Sequence, residues 1–350
     1  MNPYSNLPEE GFWKSAVSSK NCIDISGVWD PKFNVKPTNL VATYGSCFAQ
    51  HIGRALEQRG YKRLVTEYAP VGLSESEKRK FNYDIFSSRT GNIYTCSLLR
   101  QWVEWAFGIK KPPHEVWEQE GRYYDPFRPN VEPDGFESEG ELIESRSHCI
   151  ESFKESVVSA DYFIFTMGLT ESWVNSAYGY EYPMCPGTVA GVYDSQLHEF
   201  QNQRFVRIKE DLVKSIQIMR KFNPKLKFIL TVSPVPLTAT NSGLHVLTAT
   251  TYSKSVLRAV AGELADTKKV VDYFPSYEII NSPVFRGQFF EPNMRQVHQS
   301  GVDLVMEHFF QGLNRKYGDK TINAQGVSNA YGKGDDAEIC EEALLDDFSK

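Results

Sequence analysis

Apolar and polar residues alternate along the chain in blocks that predict an α/β fold. The apolar run that starts at Leu40 predicts a buried strand, and this run stops at Gly45-Ser46-Cys47. Beyond that turn, apolar residues recur at helical spacing and share one face: Phe48, Ile52, Ala55 and Leu56. This stripe predicts a helix that ends at Gly60. The first predicted unit is therefore a strand, a turn that carries a hydroxyl and a thiol, and a helix.

Further apolar runs predict more strands of the same kind. Three of them are rich in β-branched and aromatic residues and lie at 161–167, 227–235 and 269–273. Each has a helix-like segment before it, at 139–159, 205–222 and 253–265. Strands that alternate with helices indicate βαβ construction and a parallel sheet. We therefore predict the α/β class, as a three-layer α/β/α sandwich with a central, mostly parallel sheet.

A long region at 67–138 interrupts this alternation and differs in character. Within it, 95–107 predicts a helix, whereas 115–131 is rich in Trp, Tyr, Pro and Gly and predicts a hairpin. We interpret the region as a lid or an insertion on the substrate side. The predicted organisation is an N-terminal extension, an α/β domain with this insertion and an acidic C-terminal tail, at 1–37, 38–313 and 314–350. The tail carries a few apolar residues and could form a short amphipathic helix or remain disordered.

Composition and charge narrow the classes of function. Hydrophobic residues make up 41% of the chain and charged residues 23%, and no apolar stretch is long enough for a membrane span. The polar, acidic start lacks the apolar core of a secretory signal, so we expect a cytoplasmic protein. A net charge of −6 argues against nucleic acid and anionic membranes as partners. The six cysteines show no spacing typical of a metal site, and we expect reduced thiols and no bound metal.

Cys47 is the cysteine with an electrostatic reason to react. It lies at the predicted start of the first helix, where unpaired N–H groups and the helix dipole favour an anion. A thiolate forms more easily there and is a better nucleophile than the thiol. Ser46 is the predicted N-cap of the helix. The alternative is that both small residues only allow the helix to pack against the strand.

Residues that follow parallel strands should converge on one crevice. After three predicted strands come Ser46-Cys47, the segment from Gly168 to Trp173, and the segment from Ser233 to Pro236. The Gly168 backbone and the Thr170 hydroxyl suit a carbonyl oxygen that gains charge. Thr170 could instead be a helix N-cap, with Glu171 in the first turn. Trp173 could stack on a sugar face or lie in the core.

A nucleophile needs a base, and among the seven histidines we select His298. It lies in a polar loop, late in the chain and directly before a helix predicted at 301–313. A loop histidine can turn toward the carboxyl edge of a sheet. His51, one helical turn beyond Cys47, could support a thiolate, although we expect a surface position for it.

Taken together, these segments resemble the GSCFA family. The resemblance rests on the GSCFA signature at 45–49, on 168–173, 233–236 and 273–278, and on His298. The family in turn resembles the SGNH, or GDSL-like, hydrolases, which implies a flavodoxin-like α/β/α fold. In that superfamily the first motif ends in the nucleophile, which implies that Cys47 takes this role. Ser46 is then its cap or helper, and remains the alternative nucleophile.

The resemblance also implies roles for other residues, with departures from the superfamily pattern. Its Gly-x-Asn-Asp block corresponds to Gly168-Leu169-Thr170-Glu171, so that Thr170 replaces the oxyanion-binding Asn. Its Asp-x-x-His block ends at His298, but Arg295 stands where the Asp is expected. Asn293 is then the nearest candidate to orient the imidazole, and Glu291 is another. Gly91 could supply a backbone donor to the oxyanion, or could simply form a turn.

The implied function is acyl-ester chemistry by an esterase or O-acyltransferase, on a carbohydrate or another polar substrate. An S-acyl or O-acyl enzyme intermediate would pass its acyl group to water or to a hydroxyl. No cofactor is required, although acyl-coenzyme A could be the donor. Candidates for a basic pocket that would bind it are Lys78, Arg79, Lys80 and Arg89. Two alternatives stay open: an inactive SGNH-fold protein that binds a ligand, and a redox-sensitive thiol protein.

Overall fold

The computed structural model describes residues 2–318 and 340–349. Its strands are β1 (Leu40–Gly45), β2 (Lys62–Arg63), β3 (Trp117–Gln119), β4 (Arg122–Tyr124), β5 (Tyr162–Met167), β6 (Glu171–Asn175), β7 (Glu181–Tyr182), β8 (His198–Asn202), β9 (Lys227–Val232) and β10 (Val271–Tyr273). Its α-helices are α1 (Ala49–Gln58), α2 (Glu75–Lys80), α3 (Cys96–Ala106), α4 (Glu139–Ser159), α5 (Phe205–Phe222), α6 (Val246–Thr267), α7 (Ser276–Asn281) and α8 (Gln299–Tyr317).

A five-stranded parallel sheet lies at the centre of the fold, in the order β10-β9-β5-β1-β2. Every residue of β5 is buried, which requires cover on both faces of the sheet. Helix α1 packs against β1 and β2, and α6 packs against β9 and β10. The predicted α/β class and three-layer sandwich are confirmed. The predicted strands and helices are also present, although α6 begins at Val246 rather than at 253.

The strand order places the topological switch point of the sheet, where the direction of strand addition reverses, at β1. From β1 the chain passes outward to β2 at the edge of the sheet, and it later returns to β5 on the other side of β1. In a sheet of this kind a crevice opens beyond the carboxyl ends of the two strands that flank the reversal. Here these ends are Gly45 and Met167.

The insertion contains the predicted helix, α3, and the predicted hairpin, formed by β3 and β4. A buried ion cluster holds the segment after the hairpin to α4. The Asp125 carboxylate accepts from Arg128 Nε at 2.8 Å and lies 2.9 Å from Arg146 Nη2. Burial alone would raise the pKa of Asp125, but the charges of Arg146 and Arg128 hold it below its ordinary value.

The described residues divide into two compact units. One contains 36–273 and the C-terminal segment, 340–349; the other contains 2–35 and 274–318. In the second unit, Trp29 stacks on Phe309 with ring centroids 4.9 Å apart and meets Phe274 edge-on. A Cβ at Gly312 would lie 2.9 Å from the Trp29 ring, so a residue without a side chain is needed in α8.

The C-terminal segment forms a 3₁₀ helix over Glu341–Phe348. Residues 319–339 and 350 of the predicted acidic tail lie outside the described residues, and 314–317 belong to α8. For 340–349 the sequence had left a short amphipathic helix or disorder open. Glu341 and Glu342 are buried, with exposures of 2% and 8%. Buried carboxyl groups need hydrogen-bond partners, and those of this segment lie at the candidate site.

Two expectations from composition can be compared with the structure. All six cysteines lie in its described parts, and no disulfide joins any of them. Across 2–318 and 340–349, no helix is long and apolar enough to cross a membrane. The thiols differ in access: Cys47, Cys96 and Cys149 are buried, whereas the other three are partly exposed.

Candidate functional site

Backbone contacts fix the turn that carries Ser46 and Cys47. Gly45 has a φ of 134°, and a Cβ there would lie 2.2 Å from the Thr166 carbonyl oxygen, so only glycine fits. The Ser46 N–H donates to the same carbonyl at 2.9 Å. This bond ties the turn to β5 and holds the hydroxyl and the thiol where β1 and β5 end.

Helix α1 begins later than the sequence indicates. Its N-cap is Phe48, and no side chain caps it. The Ala49 N–H donates to the Ser46 carbonyl at 2.8 Å in a tight turn before the helix. The prediction of Ser46 as N-cap is therefore wrong, and its buried hydroxyl lacks a hydrogen-bond partner among the described residues. Cys47 directly precedes the cap, at the helix end that favours an anion.

A small cavity borders both side chains. Its volume is about 10 Å³, which is room for one water molecule at most. The ends of β1, β5 and β9 all contribute to its walls, as the sequence predicts for three strand ends that converge. The lining residues are Ser46, Cys47, Tyr94, Gly168, Leu169, Ser233, Val235, Leu237, Lys254 and Glu342.

Lys254 in α6 is a component of the site that sequence reasoning missed. Its side chain is buried, and Nζ donates to the Gly168 carbonyl at 2.6 Å. Burial disfavours a thiolate, and a protonated amine in the same cavity opposes that cost. A signal was present in the sequence, because Lys254 shares a helical face with the buried Leu257, Ala261 and Leu264. Lysine is rare on such an apolar face without a specific partner.

Gly168 lines the cavity, but its N–H is already used. It donates to the Tyr94 carbonyl at 2.9 Å, and the Leu169 N–H donates to the same oxygen at 3.2 Å. A Cβ on Gly168 would lie 3.0 Å from Ser46 Cβ. The glycine therefore allows the end of β5 to approach the Ser46 turn closely, and Tyr94 is tied firmly to that strand end.

Thr170 is buried away from the small cavity. Its hydroxyl donates to Asn202 Oδ1 at 2.7 Å, and its N–H donates to Ser253 Oγ at 3.0 Å. The alternative of a helix N-cap is wrong, because strand β6 follows at Glu171. In this structure the Thr170 hydroxyl thus joins β8 to the end of β5.

A larger cavity, of about 600 Å³, shares Leu169, Leu237 and Glu342 with the small one. Most of its lining is apolar or aromatic and includes Trp173, Met184, Tyr193, Phe200, Leu345 and Phe348. The Trp173 ring meets the Tyr193 and Phe200 rings edge-on at 5.5 and 5.6 Å. Glu171 also lines this cavity, and burial raises the pKa of its carboxyl, which accepts from Thr240 Oγ1 at 2.6 Å.

The C-terminal segment places the Glu341 carboxylate in a polar recess. It accepts from the Asn92 side-chain amide and from the Tyr94 hydroxyl, the latter at 2.8 Å, and the Asn92 N–H is a further donor. Gly91 has a φ of 66°, and a Cβ there would lie 3.4 Å from Glu341 Oε1. Burial raises the pKa of Glu341, although these hydrogen bonds oppose the shift.

Glu342 forms part of the wall of both cavities. Its Oε1 accepts from the Thr238 N–H at 2.9 Å, and its own N–H donates to the Tyr94 hydroxyl at 3.4 Å. Burial raises the pKa of Tyr94 well above its ordinary value, so its hydroxyl keeps its proton and can donate. Tyr94 thus connects the C-terminal segment to the cavity of Cys47.

His298 and Asn293 belong to the other compact unit. His298 is exposed and is the N-cap of α8, with Nδ1 2.8 Å from Ser300 Oγ. The Asn293 amide oxygen accepts from the N–H groups of Arg295 and Gln296, each at 3.0 Å. Asn293 thus uses its oxygen within its own turn, and Ser300 contacts Nδ1 of His298. Catalytic roles for His298 and Asn293 stay predictions.

His51, for which a surface position was expected, is buried, so that expectation is wrong. Its ring packs against Phe48 with centroids 5.5 Å apart, and Nδ1 lies 3.2 Å from Arg54 Nη2. The residue belongs to the packing around α1.

The basic residues considered for acyl-coenzyme A pair locally within the insertion. Lys78 lies 2.7 Å from Glu75, and Lys80 lies 2.8 Å from Asp134. Arg89 is buried and donates to Glu132 at 2.7 Å. Neither these three nor Arg79 line the two cavities, where Lys254 is the basic residue.

The fold and the site define an α/β protein with a thiol, a hydroxyl and a buried amine at the carboxyl edge of its parallel sheet. The family model described as the GSCFA family matches residues 40–309, and the chain therefore belongs to the GSCFA family. Membership of this family suggests a hydrolase-like function. Comparisons with curated proteins and with solved structures gave no match.

Proposed function

We propose that the chain is an acyl-ester enzyme of the SGNH type, an esterase or O-acyltransferase, in which Cys47 carries the acyl group. The observation that supports this most is one cavity lined by Cys47, Lys254 and a Ser46 hydroxyl with no partner among the described residues. A nucleophile, a charge that favours its ionised form and a hydrogen-bond donor lie together at the reversal point of the sheet.

The reaction has two halves. In the first, the Cys47 thiolate attacks an ester or thioester carbonyl, an S–C bond forms, and the alcohol or thiol leaves after it takes up a proton. In the second, water or a hydroxyl acceptor loses a proton and attacks the thioester, and the thiolate is released. His298 stays the predicted base in this scheme. The Ser46 hydroxyl can donate to the carbonyl oxygen as that oxygen gains charge, a role that the Gly168 N–H cannot take while Tyr94 accepts it.

The adjoining cavity supports the substrate side of the proposal. Its volume of about 600 Å³ is typical of sites for small organic ligands. Aromatic side chains such as Trp173 and Tyr193 suit stacking on the apolar face of a sugar ring. A carbohydrate or another polar acceptor therefore remains our preferred substrate, and acyl-coenzyme A a candidate donor.

Acyl adducts measured by intact mass test the nucleophile. The chain is incubated separately with p-nitrophenyl acetate and acetyl-coenzyme A, and we expect one acetyl adduct that is absent from Cys47→Ala. Cys22→Ala, which removes a more accessible thiol that lines neither cavity, is the matched control and should keep the adduct.

The other outcomes separate the alternatives. An adduct that persists in Cys47→Ala contradicts the thiol mechanism, and loss in Ser46→Ala alone moves the nucleophile by one residue. A protein that only binds ligands gives no adduct and no turnover. A redox-sensitive protein gives none either, but its Cys47 becomes oxidised by dilute peroxide.

A further inference from the structure

The site of Cys47 is closed to substrates in this structure. The Cys47 side chain is only 2% exposed, and its cavity of about 10 Å³ cannot hold an acyl group. Glu342 of the C-terminal segment forms part of the wall. Leu345 and Phe348 of the same segment line the larger cavity next to it. A substrate can reach the thiol only if part of this wall moves.

The recess that holds Glu341 has the donors that a carboxylate needs. The Asn92 side-chain amide, the Asn92 N–H and the Tyr94 hydroxyl all donate to one carboxylate. Residues outside the C-terminal segment fix this geometry, because the Tyr94 carbonyl accepts from the N–H groups of Gly168 and Leu169 at the end of β5. The backbone of Tyr94, which carries one of these donors, is therefore fixed independently of Glu341.

The recess is also directly linked to the reactive group. Tyr94, which donates to Glu341, lines the same small cavity as Cys47 and Ser46. A carboxylate bound by Asn92 and Tyr94 would thus contact a side chain whose residue also lines the cavity of the thiol. Gly91, with its φ of 66°, lies in contact distance of Glu341 Oε1 in the turn that carries Asn92.

We propose that Asn92 and Tyr94 form a carboxylate-binding subsite for the substrate of Cys47, and that Glu341 occupies this subsite until a substrate replaces it. The inference rests on the proposed function and narrows its substrate class to molecules that carry a carboxylate near the reacting carbonyl. The C-terminal segment then acts as an intramolecular competitor.

The contacts of the segment suit a competitor that can leave. The donors to Glu341 are neutral groups, and hydrogen bonds of this kind contribute less than buried ion pairs with arginine. Phe348 is 64% exposed, so the segment buries little of its largest apolar side chain. A single 3₁₀ helix also has poorer hydrogen-bond geometry than an α-helix.

Alkylation of Cys47 tests the subsite without any need for turnover. Iodoacetate and iodoacetamide react with a thiolate in the same way: an S–C bond forms, the C–I bond breaks and iodide leaves. They differ in that iodoacetate carries a carboxylate. Peptide mass mapping gives the rate at Cys47 for each reagent in the full chain and in Glu341→Ala. Asp347→Ala is the matched control, since it removes the same charge from an exposed residue of the same segment.

In Glu341→Ala we expect the ratio of the iodoacetate rate to the iodoacetamide rate to rise about tenfold above its value in Asp347→Ala. Asn92→Ala or Tyr94→Phe, added to Glu341→Ala, should remove the rise. Equal acceleration of both reagents would mean that the segment is only a cover, and would overturn the subsite. An unchanged ratio, or no alkylation of Cys47 by either reagent, would overturn it as well.

A second variant protects the test against misfolding of the first. Leu345→Ser combined with Phe348→Ser loosens the segment without a change in the recess and should raise the same ratio. The result is independent of the acetyl-adduct experiment. If the alkylation ratio rises but the acetyl adduct persists in Cys47→Ala, the carboxylate subsite is supported and the thiol mechanism is contradicted. If the alkylation ratio is unchanged but the acetyl adduct depends on Cys47, the thiol mechanism is supported and the subsite is contradicted.

Discussion

Two buried carboxylates, Asp125 in the insertion and Glu341 in the C-terminal segment, differ in the charge of their partners. Asp125 contacts two arginine side chains, both also buried. Glu341 accepts from the Asn92 amide and the Tyr94 hydroxyl, which are neutral. Accordingly, the pKa of Asp125 is lowered and that of Glu341 is raised. The comparison teaches that cations make a buried carboxylate a permanent part of the structure, whereas neutral donors leave it replaceable.

Glu181 in β7 is a third case that extends the comparison. It is buried, and its donors are again neutral: the hydroxyls of Thr95 and Ser97 and the Gln203 amide. Burial raises its pKa to about 7, despite these hydrogen bonds. It groups with Glu341 in its chemistry, but it lies in a three-stranded antiparallel sheet of the order β7-β6-β8.

The largest expected effect is that of Asp125→Asn. The change keeps the size of the side chain but leaves Arg128 and Arg146 buried without their counter-charge. Breaking a buried pair in this way should lower the free energy of unfolding by about 3–5 kcal/mol. Urea unfolding measures it, with Asp134→Asn, which removes an exposed partner of Lys80, as the control. Equal effects of the two changes would contradict the permanent role of Asp125.

A smaller effect is expected from the pH dependence of Glu181. Between its unfolded pKa of 4.5 and its folded pKa of about 7, the unfolded chain releases a proton that the folded chain keeps. Stability should therefore fall by about 3 kcal/mol as the pH rises through this window, and Glu181→Gln should lack that fall.

Asp125 should show the opposite sign, because its folded pKa is lowered. Its contribution is present above its unfolded pKa and is lost as the pH falls through the folded value. The readout for both residues is the difference between the native chain and each variant in urea unfolding across pH. If Glu181→Gln and the native chain gave parallel profiles, the raised pKa would be refuted.

The smallest global effect should come from Glu341→Ala. We expect the free energy of unfolding to change by less than about 1 kcal/mol, because the C-terminal segment can detach without the sheet. Hydrogen exchange of the amides in 341–348 should nevertheless become faster, whereas that of β5 should not. Unchanged, slow exchange in 341–348 of this variant would mean that Glu341 does not anchor the segment.

Local sequence patterns were enough to predict the parallel sheet and most of the turn that carries Ser46 and Cys47. The run from Leu40 and the stripe of α1 are contiguous in sequence, so spacing alone predicts the strand, the turn and the helix. The position of the helix start could not be read this way. The start of α1 depends on the pairing of β1 with β5, which brings the Thr166 carbonyl close to Gly45. The chain therefore makes a tight turn before α1 begins.

Contacts between distant residues account for what the sequence did not reveal. Glu341 accepts a hydrogen bond from Asn92, although the two residues are far apart in the sequence. Nothing in the sequence of an acidic tail indicates which of its carboxylates will be buried. Lys254 could have been noticed as a charge on an apolar stripe, but its partner, the Gly168 carbonyl, could not. The fold was thus more predictable than the site, because helix and strand periodicity is local and the closure of the site is not.

The turn at Gly45 separates the shape of the site from its reactivity. Backbone contacts of Gly45 and Ser46 with Thr166 fix the turn, whereas the reactivity of the site belongs to the side chain at position 47. Serine or selenocysteine could therefore replace Cys47 on an unaltered scaffold, whereas Gly45→Ala would force β1 and β5 apart. In such a protein the nucleophilic atom at position 47 can change from sulfur to oxygen or selenium while the fold stays the same.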